Sequence, residues 1–228
     1  MNLRTIMKNL RFCKADILSF NPDLIIFVDY PGFNLRVAGF ASKKGYKTVY
    51  YISPQVWAWK ESRVKRIKRF IDKMIVILPF EEEFYRKHDY PVDYVGHPLL
   101  DIIPNYEAQS DFLPESKNKE VVALLPGSRK QEIATMLPIM LEIVQSFPEI
   151  LFVVAAAPGI EDQFYEQYLN KDNTKIVRGK TYDLFKSARA ALVTSGTATL
   201  EAGLFRVPTI VCYKGSSISY QIARRLIK

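Results

Sequence analysis

Residues Val121–Glu132 read VVALLPGSRKQE, and no other stretch narrows the possible folds as much. An unbroken apolar run closed by Pro126 and Gly127 describes a strand buried on both faces. A helix opens after it. Ser128 stands at N-cap spacing with Gln131 three residues on. That spacing puts Arg129 on the first helical turn, where free backbone N–H groups and the helix dipole favour an anion. Taken alone, Gly-Ser-Arg fits equally a plain βα turn with a solvated arginine. A second turn shifts the balance. Ala190 to Val193 is another short apolar strand, followed by Thr194, Ser195, Gly196, Thr197, Ala198, Thr199, Leu200 and Glu201. Small hydroxyl residues around a glycine, just before a helix, again gather donors and exposed N–H groups. Two such turns at the carboxyl ends of strands in one sheet describe a nucleotide pocket.

The rest of the chain alternates in the same way. Strands are expected at Leu24–Asp29, Lys47–Ile52, Met74–Leu78 and Tyr94–Gly96. Between them fall helices at about 34–44, 55–70 and 81–87. A second series of strands follows at Val121–Leu125, Leu151–Ala156, Lys175–Val177, Ala190–Val193 and Thr209–Tyr213. Strands alternating with helices imply βαβ units and mostly parallel sheets. Between the series, Pro104, Asn105, Ser110, Pro114, Ser116 and Asn118 mark a linker. The expected division is therefore 1–100, a linker over 101–119, and 120–228. Two doubly wound halves would face one another across a cleft, where ligands of such folds bind.

The N-terminus is neither signal peptide nor membrane span. Leu3, Ile6, Met7, Leu10, Cys13 and Ile17 recur at helical spacing among lysines and arginines, giving an amphipathic helix. Ile218, Ile222 and Leu226 suggest another at the end of the chain. No apolar run approaches the roughly 18 residues needed to cross a bilayer. The two cysteines, Cys13 and Cys212, lie far apart without metal-like spacing and read as reduced core residues, which points to a cytoplasmic protein. A net charge of +8 implies anionic partners, whether phosphorylated substrates, an acidic membrane or nucleic acid.

Several side chains carry chemical expectations. Asp29, in VDYPGFN, ends a strand. It caps the turn before Pro31-Gly32 or acts as a general base, which requires a carboxylate within reach of the hydroxyl it deprotonates. Trp57 and Trp59 precede Lys60, Arg63, Lys65, Arg66, Lys68, Arg69 and Lys73, while Val64, Ile67, Ile71 and Met74 form an apolar stripe toward the core. The basic residues make a solvated face or a surface for anionic lipid, worth about 1 kcal/mol per basic residue near an acidic leaflet. Nucleic acid is the weaker option, because the aromatics are bunched rather than interleaved with the charges. His97, in VGHP, reads as a structural hydrogen-bonder, and neither a metal site nor a cofactor site is visible.

The runs VDYPGFN, YYISPQVWAWKESRVKRIKR, LPFEEEFY, VGHPLLD, LLPGSRKQEI and SGTATLEAGLFRVPTIVCYK resemble the lipid-A-disaccharide synthase family in order and spacing. The resemblance implies a GT-B glycosyltransferase with no cofactor. It would transfer 2,3-diacylglucosamine from its UDP conjugate to 2,3-diacylglucosamine 1-phosphate, inverting the donor carbon and forming a β-1,6 disaccharide. It further implies an acceptor side in the first half and UDP binding in the second. Asp29 matches the family's strand-end acid, and Arg129 the arginine of its PGSR turn. Gly127, Ser128, Glu132, Ser195, Gly196, Thr197 and Glu201 match the nucleotide cradle, with Glu201 placed to accept from ribose hydroxyls. Trp57, Trp59, Arg63, Lys65, Arg66 and Arg69 would form the acyl and membrane side, giving a cytoplasmic protein peripheral to an anionic inner membrane. A homo-oligomer stays open.

Family members open with a strand and a Gly-rich turn and continue beyond the position of Lys228. The expectation is therefore a fragment, lacking part of the acceptor site and unable to catalyse transfer alone. Rival readings are another UDP-sugar GT-B enzyme or epimerase, and a non-catalytic basic protein that binds membrane. The two phosphate-type turns argue against the last, and VWAW beside a basic helix argues for a lipid substrate.

Overall fold

The computed structural model describes residues 3–59, 61–109, 112–113, 119–169, 173–194 and 196–214, with the backbone alone at Trp59. These fall into two compact units, dividing between Pro98 and Leu99.

The first unit opens with α1 (Leu3–Phe20), β1 (Leu24–Val28), α2 (Pro31–Lys43) and β2 (Lys47–Tyr51). It continues through α3 (Val56–Trp59), α4 (Val64–Phe70), β3 (Lys73–Val76), α5 (Pro79–Arg86) and β4 (Asp93–Tyr94). Its four strands are parallel and lie in the sequential order β1-β2-β3-β4. Leu10 on α1 is buried and Ile6, Cys13 and Ile17 pack against the same core, whereas Leu3 and Met7 of the anticipated stripe are exposed. Val64, Ile67, Ile71 and Met74 are all buried, as their spacing predicts. The single helix expected over about 55–70 is instead broken. A 3-10 turn at Glu61–Arg63 separates α3 from α4, and Lys60 lies outside the described residues. Two indoles and Ser62 are weak helix formers, and Ala58 N–H donates to the Gln55 carbonyl at 3.2 Å, a tight-turn bond in place of the α-ladder.

The second unit holds α6 (Leu99–Ile102), β5 (Val121–Leu125), α7 (Lys130–Leu141), β6 (Leu151–Ala156), α8 (Asp162–Glu166) and β7 (Thr174–Arg178). It ends with α9 (Thr181–Ser187), β8 (Ala190–Thr194), α10 (Thr197–Leu204) and β9 (Thr209–Cys212). Its strands are parallel in the order β7-β6-β5-β8-β9. The order reverses between β5 and β8, a topological switch point. Every residue of β5 and β6 is buried, as a central strand covered on both faces requires. One core cluster gathers around Ile133, Met136 and Leu137 of α7, and another around Leu184 and Phe185 of α9 with Ala202 of α10.

The stretch expected as a linker is docked on this unit over its described residues. Ile103 and Leu113 are buried, and Gln109 N–H donates to the Asp183 carboxylate at 2.7 Å. The Tyr106 carbonyl accepts from Lys186. The apolar repeat at Ile218, Ile222 and Leu226 lies outside the described residues, as do Ser110, Pro114, Ser116 and Asn118.

Candidate functional site

The two turns singled out by sequence meet at one pocket. It has a volume of about 390 Å³ and opens at the carboxyl ends of β5, β6 and β8. From the first turn come Gly127, Ser128, Arg129 and Glu132, and from the second Gly196, Thr197, Ala198 and Glu201. The Thr194 hydroxyl, donating to the Leu125 carbonyl at 3.4 Å, ties the two strand ends together. Ser195 lies outside the described residues.

The first turn is built differently from the capping box expected for it. Arg129, with extended backbone at φ −119°, is the N-cap residue, and no side chain caps the helix there. The residue that reaches back is Glu132 rather than Gln131. Its Oε2 accepts from Ser128 N–H at 3.2 Å and its Oε1 from Arg129 Nη1 at 2.9 Å. Gly127 is required by this packing. Its φ is +123°, and a Cβ there would stand 2.8 Å from Glu132 Cβ. Glu132 thus organises the turn and balances the charge of Arg129, whose side chain is 80% exposed. Such an ion pair is weak in water. An arriving phosphate can therefore recruit the guanidinium at small cost.

The second turn places Gly196, at φ +133°, just before α10. The Thr199 hydroxyl donates to the Gly196 carbonyl at 2.6 Å, and Thr197 and Ala198, on the first turn of α10, line the pocket. Glu201, one turn on, accepts from the Tyr182 hydroxyl at 3.0 Å. Ala155–Pro158 supply apolar side chains to the same pocket. Ala157 N–H is held by the Tyr165 hydroxyl at 2.8 Å, and the Arg178 guanidinium fastens the same loop through the carbonyls of Ala157 and Ile160. Donors for an anion, a carboxylate for hydroxyls and a run of apolar side chains together suit a nucleoside phosphate.

Asp29 and Arg63 line a separate pocket of about 340 Å³ in the first unit, with Pro31, Ser53 and Gln55. The backbone there is strained. Asp29 and Tyr30 both have φ +44°, and Ile52, another lining residue, has φ +62°. Left-handed non-glycine residues cost about 1–3 kcal/mol each, and a β-branched one is an outlier. The strain is held from outside. Asn34 Nδ2 donates to the carbonyls of Asp29 at 2.7 Å and Val28 at 3.0 Å, and the Tyr50 hydroxyl donates to the Asp29 carbonyl at 2.5 Å. Burial raises the Tyr50 phenol well above its usual range, so it stays a donor. Asp29 does not cap α2, where Tyr30 is the N-cap without a side-chain bond. Sequence reasoning missed Asn34, Tyr50 and Ile52.

Of the remaining candidates, Trp57 is 38% exposed and meets Phe80 edge-on at 4.9 Å. Lys65, Arg66 and Arg69 are exposed on α4, with Arg69 lying over the Phe70 ring. They line neither pocket. His88 pairs with Glu61 at 2.9 Å and packs on Phe84, a contact the sequence did not suggest. Both cysteines are free thiols, half-buried against the two cores. Among the described residues no three His, Cys, Asp or Glu side chains are grouped to hold a metal, and no helix is long and apolar enough to cross a membrane.

Two parallel sheets with flanking helices, the second bearing such a pocket at its switch point, define the GT-B class of α/β protein. The spinosyn rhamnosyltransferase SpnG shares this fold, with a TM-score of 0.57 and 13% identity over 91% of this chain and 58% of that one. So does the protein of the S. aureus MnaA-UDP co-structure, with a TM-score of 0.69 and 12% identity over 97% of this chain and 67% of that one. Sequence then separates the members of the class. The family model for lipid-A-disaccharide synthetase matches residues 1–228. The lipid-A-disaccharide synthase of Syntrophus aciditrophicus (strain SB) is 42% identical over 235 residues, covering 99% of this chain and 61% of that protein. The chain belongs to the lipid-A-disaccharide synthase family. It spans about three fifths of the length of the curated relatives it matches.

Proposed function

We propose that this chain carries the UDP-sugar-binding half and part of the acceptor half of an inverting glycosyltransferase of lipid A biosynthesis. The reaction joins 2,3-diacylglucosamine, from its UDP conjugate, to 2,3-diacylglucosamine 1-phosphate, giving the β-1,6 disaccharide and UDP. One observation carries the reading: the PGSR and SGT turns converge on a single pocket at the switch point of the second sheet, in a chain of this family. Family membership at this identity favours transfer over epimerisation.

In this reading the diphosphate lies against Arg129 and the N–H groups of the two helix starts. The N–H groups are fixed by the helices, the guanidinium is drawn from Glu132 to the phosphate, and together they meet the negative charge that grows on departing UDP. The uracil lies along Ala155–Pro158 and the ribose beside Glu201. Asp29 takes the proton of the acceptor's 6-hydroxyl as that oxygen attacks the anomeric carbon. The strained backbone at Asp29, Tyr30 and Ile52 supports this assignment, since such strain collects at functional sites. Trp57, the backbone-placed Trp59 and the basic residues Arg63, Lys65, Arg66 and Arg69 serve the acylated substrates and an anionic inner-membrane surface. The protein would then be cytoplasmic and peripheral.

Calorimetric titration of the 228-residue chain with UDP tests the reading. Saturable binding of one UDP is the expected result. Absence of UDP binding, with stabilisation by anionic vesicles alone, would instead favour a non-catalytic membrane-binding protein.

A further inference from the structure

Glu201 is the one carboxylate in the nucleotide pocket whose neighbours come from outside both phosphate-type turns. Tyr182, on α9, donates its hydroxyl to Glu201 Oε1 at 3.0 Å. Only one of the two carboxylate oxygens is used in this bond, and Glu201 lines the pocket, so the other remains to accept from a ligand. The Tyr182 ring is itself fixed. It meets Tyr106 edge-on at 5.2 Å and Phe205 at 5.1 Å, and Phe205 packs in turn on Phe185 at 5.6 Å. Tyr106 belongs to the segment that Asp183 and Lys186 hold against α9. The residue before Tyr182, Thr181, also lines the pocket.

We propose that Tyr182 is a positioning residue for ribose recognition. It orients Glu201 so that the free carboxylate oxygen accepts from the ribose hydroxyls of a uridine nucleotide, and Tyr106 and Phe205 hold it in place. This inference rests on the nucleotide reading given above. Burial and the neighbouring Glu201 charge push the Tyr182 phenol up to about 12, so the hydroxyl remains a donor throughout the neutral range. A carboxylate already oriented by a hydrogen bond loses less rotamer freedom on binding, which lets a site distinguish a hydroxyl from its absence. Without Tyr182 the carboxylate would be free to turn into solvent, and binding would have to fix it.

The test compares UDP with 2′,3′-dideoxy-UDP on the full chain by calorimetry. Tyr182→Phe keeps the ring and its aromatic contacts and removes only the donor. The unsubstituted chain should prefer UDP clearly. In Tyr182→Phe, UDP affinity should fall about tenfold while dideoxy-UDP changes less than about twofold. Glu201→Gln should narrow the same preference and leave dideoxy-UDP binding in place, and the double variant should lose little more than either single one. Equal weakening of both ligands by Tyr182→Phe would mean a merely structural role and overturn the inference. An unchanged UDP preference in either single variant would overturn it as well. If the unsubstituted chain binds neither ligand, the nucleotide reading itself fails and takes this one with it. Binding of both ligands without preference sinks the ribose contact alone.

Discussion

Strands β1 and β5 each open a parallel sheet with five apolar residues, LIIFV and VVALL, yet the two sheets treat them differently. Strand β5 lies between β6 and β8, and all five of its residues are buried. Among the described residues strand β1 pairs only with β2, and Leu24, Ile26 and Val28 are 44%, 59% and 52% exposed. Within residues 1–228 the same local pattern thus lies in a core strand where helices and neighbours cover both sides, and at an edge where they do not. The consequence reaches the sites. The second sheet reverses its strand order beside β5 and so has a switch point at which two glycine turns converge. The first sheet runs in sequence order through its described strands. There the candidate site depends on strained residues that Asn34 and Tyr50 hold in place.

The contrast should be sharpest in catalysis. Asp29→Asn, measured on a chain of the curated relatives' length, is expected to cut turnover by about 10²–10⁴-fold, the usual contribution of a positioned general base. UDP affinity should hardly move, because only the transition state uses the base. A large loss of UDP affinity would put Asp29 on the donor side and break the division of labour between the units.

Stability should show the second contrast. Leu124 is fully buried in β5, so Leu124→Ala should cost about 2–5 kcal/mol, whereas Ile26→Ala on the exposed edge should cost less than about 1 kcal/mol. Urea unfolding of both variants decides it. Equal losses would show that β1 is covered in solution.

Arg129→Ala should weaken UDP binding by about 10–100-fold, as expected for loss of a charge-assisted bond to phosphate. Its effect on unfolding should stay within about 0.5 kcal/mol, since the side chain is 80% exposed and its pairing with Glu132 is solvated. The smallest effect belongs to the surface of the first unit. Anionic vesicles should retain the chain at low salt and release it progressively as salt rises, with a Debye length of about 8 Å at physiological ionic strength. Co-sedimentation of the chain and of a Lys65→Glu, Arg69→Glu variant checks this. Binding indifferent to salt, lipid charge and both substitutions would remove the electrostatic account.

Sequence legibility follows the range of the forces involved. Strands β5 and β6 could be read to the residue, because burial on both faces leaves an unbroken apolar run. The positions of both glycine turns were legible because glycine and small hydroxyl residues between an apolar run and a helix mark a strand end, and both turns meet at one pocket. The cap was misassigned because the pattern that suggests Ser128 with Gln131 does not say which acid folds back, and Glu132 does so from one residue further on. The helix over 55–70 was drawn through a 3-10 turn that the basic composition hides. Tyr182, Asn34, Tyr50 and the strain at Ile52 were illegible. Tyr182 and Tyr50 act through partners distant in sequence, Glu201 at 19 residues and Asp29 at 21, while Asn34 bonds carbonyls five and six residues back in a left-handed turn whose backbone no residue pattern there specifies.

On the proposed function, the switch point of the second sheet is a UDP site. Amide hydrogen exchange on the chain with and without saturating UDP tests it most directly. The expected result is protection concentrated at Gly127–Glu132, Ala155–Ala157 and Gly196–Glu201, with the strands of the first unit unchanged. Protection confined to the pocket around Asp29, or no change at either glycine turn under saturating UDP, would contradict it.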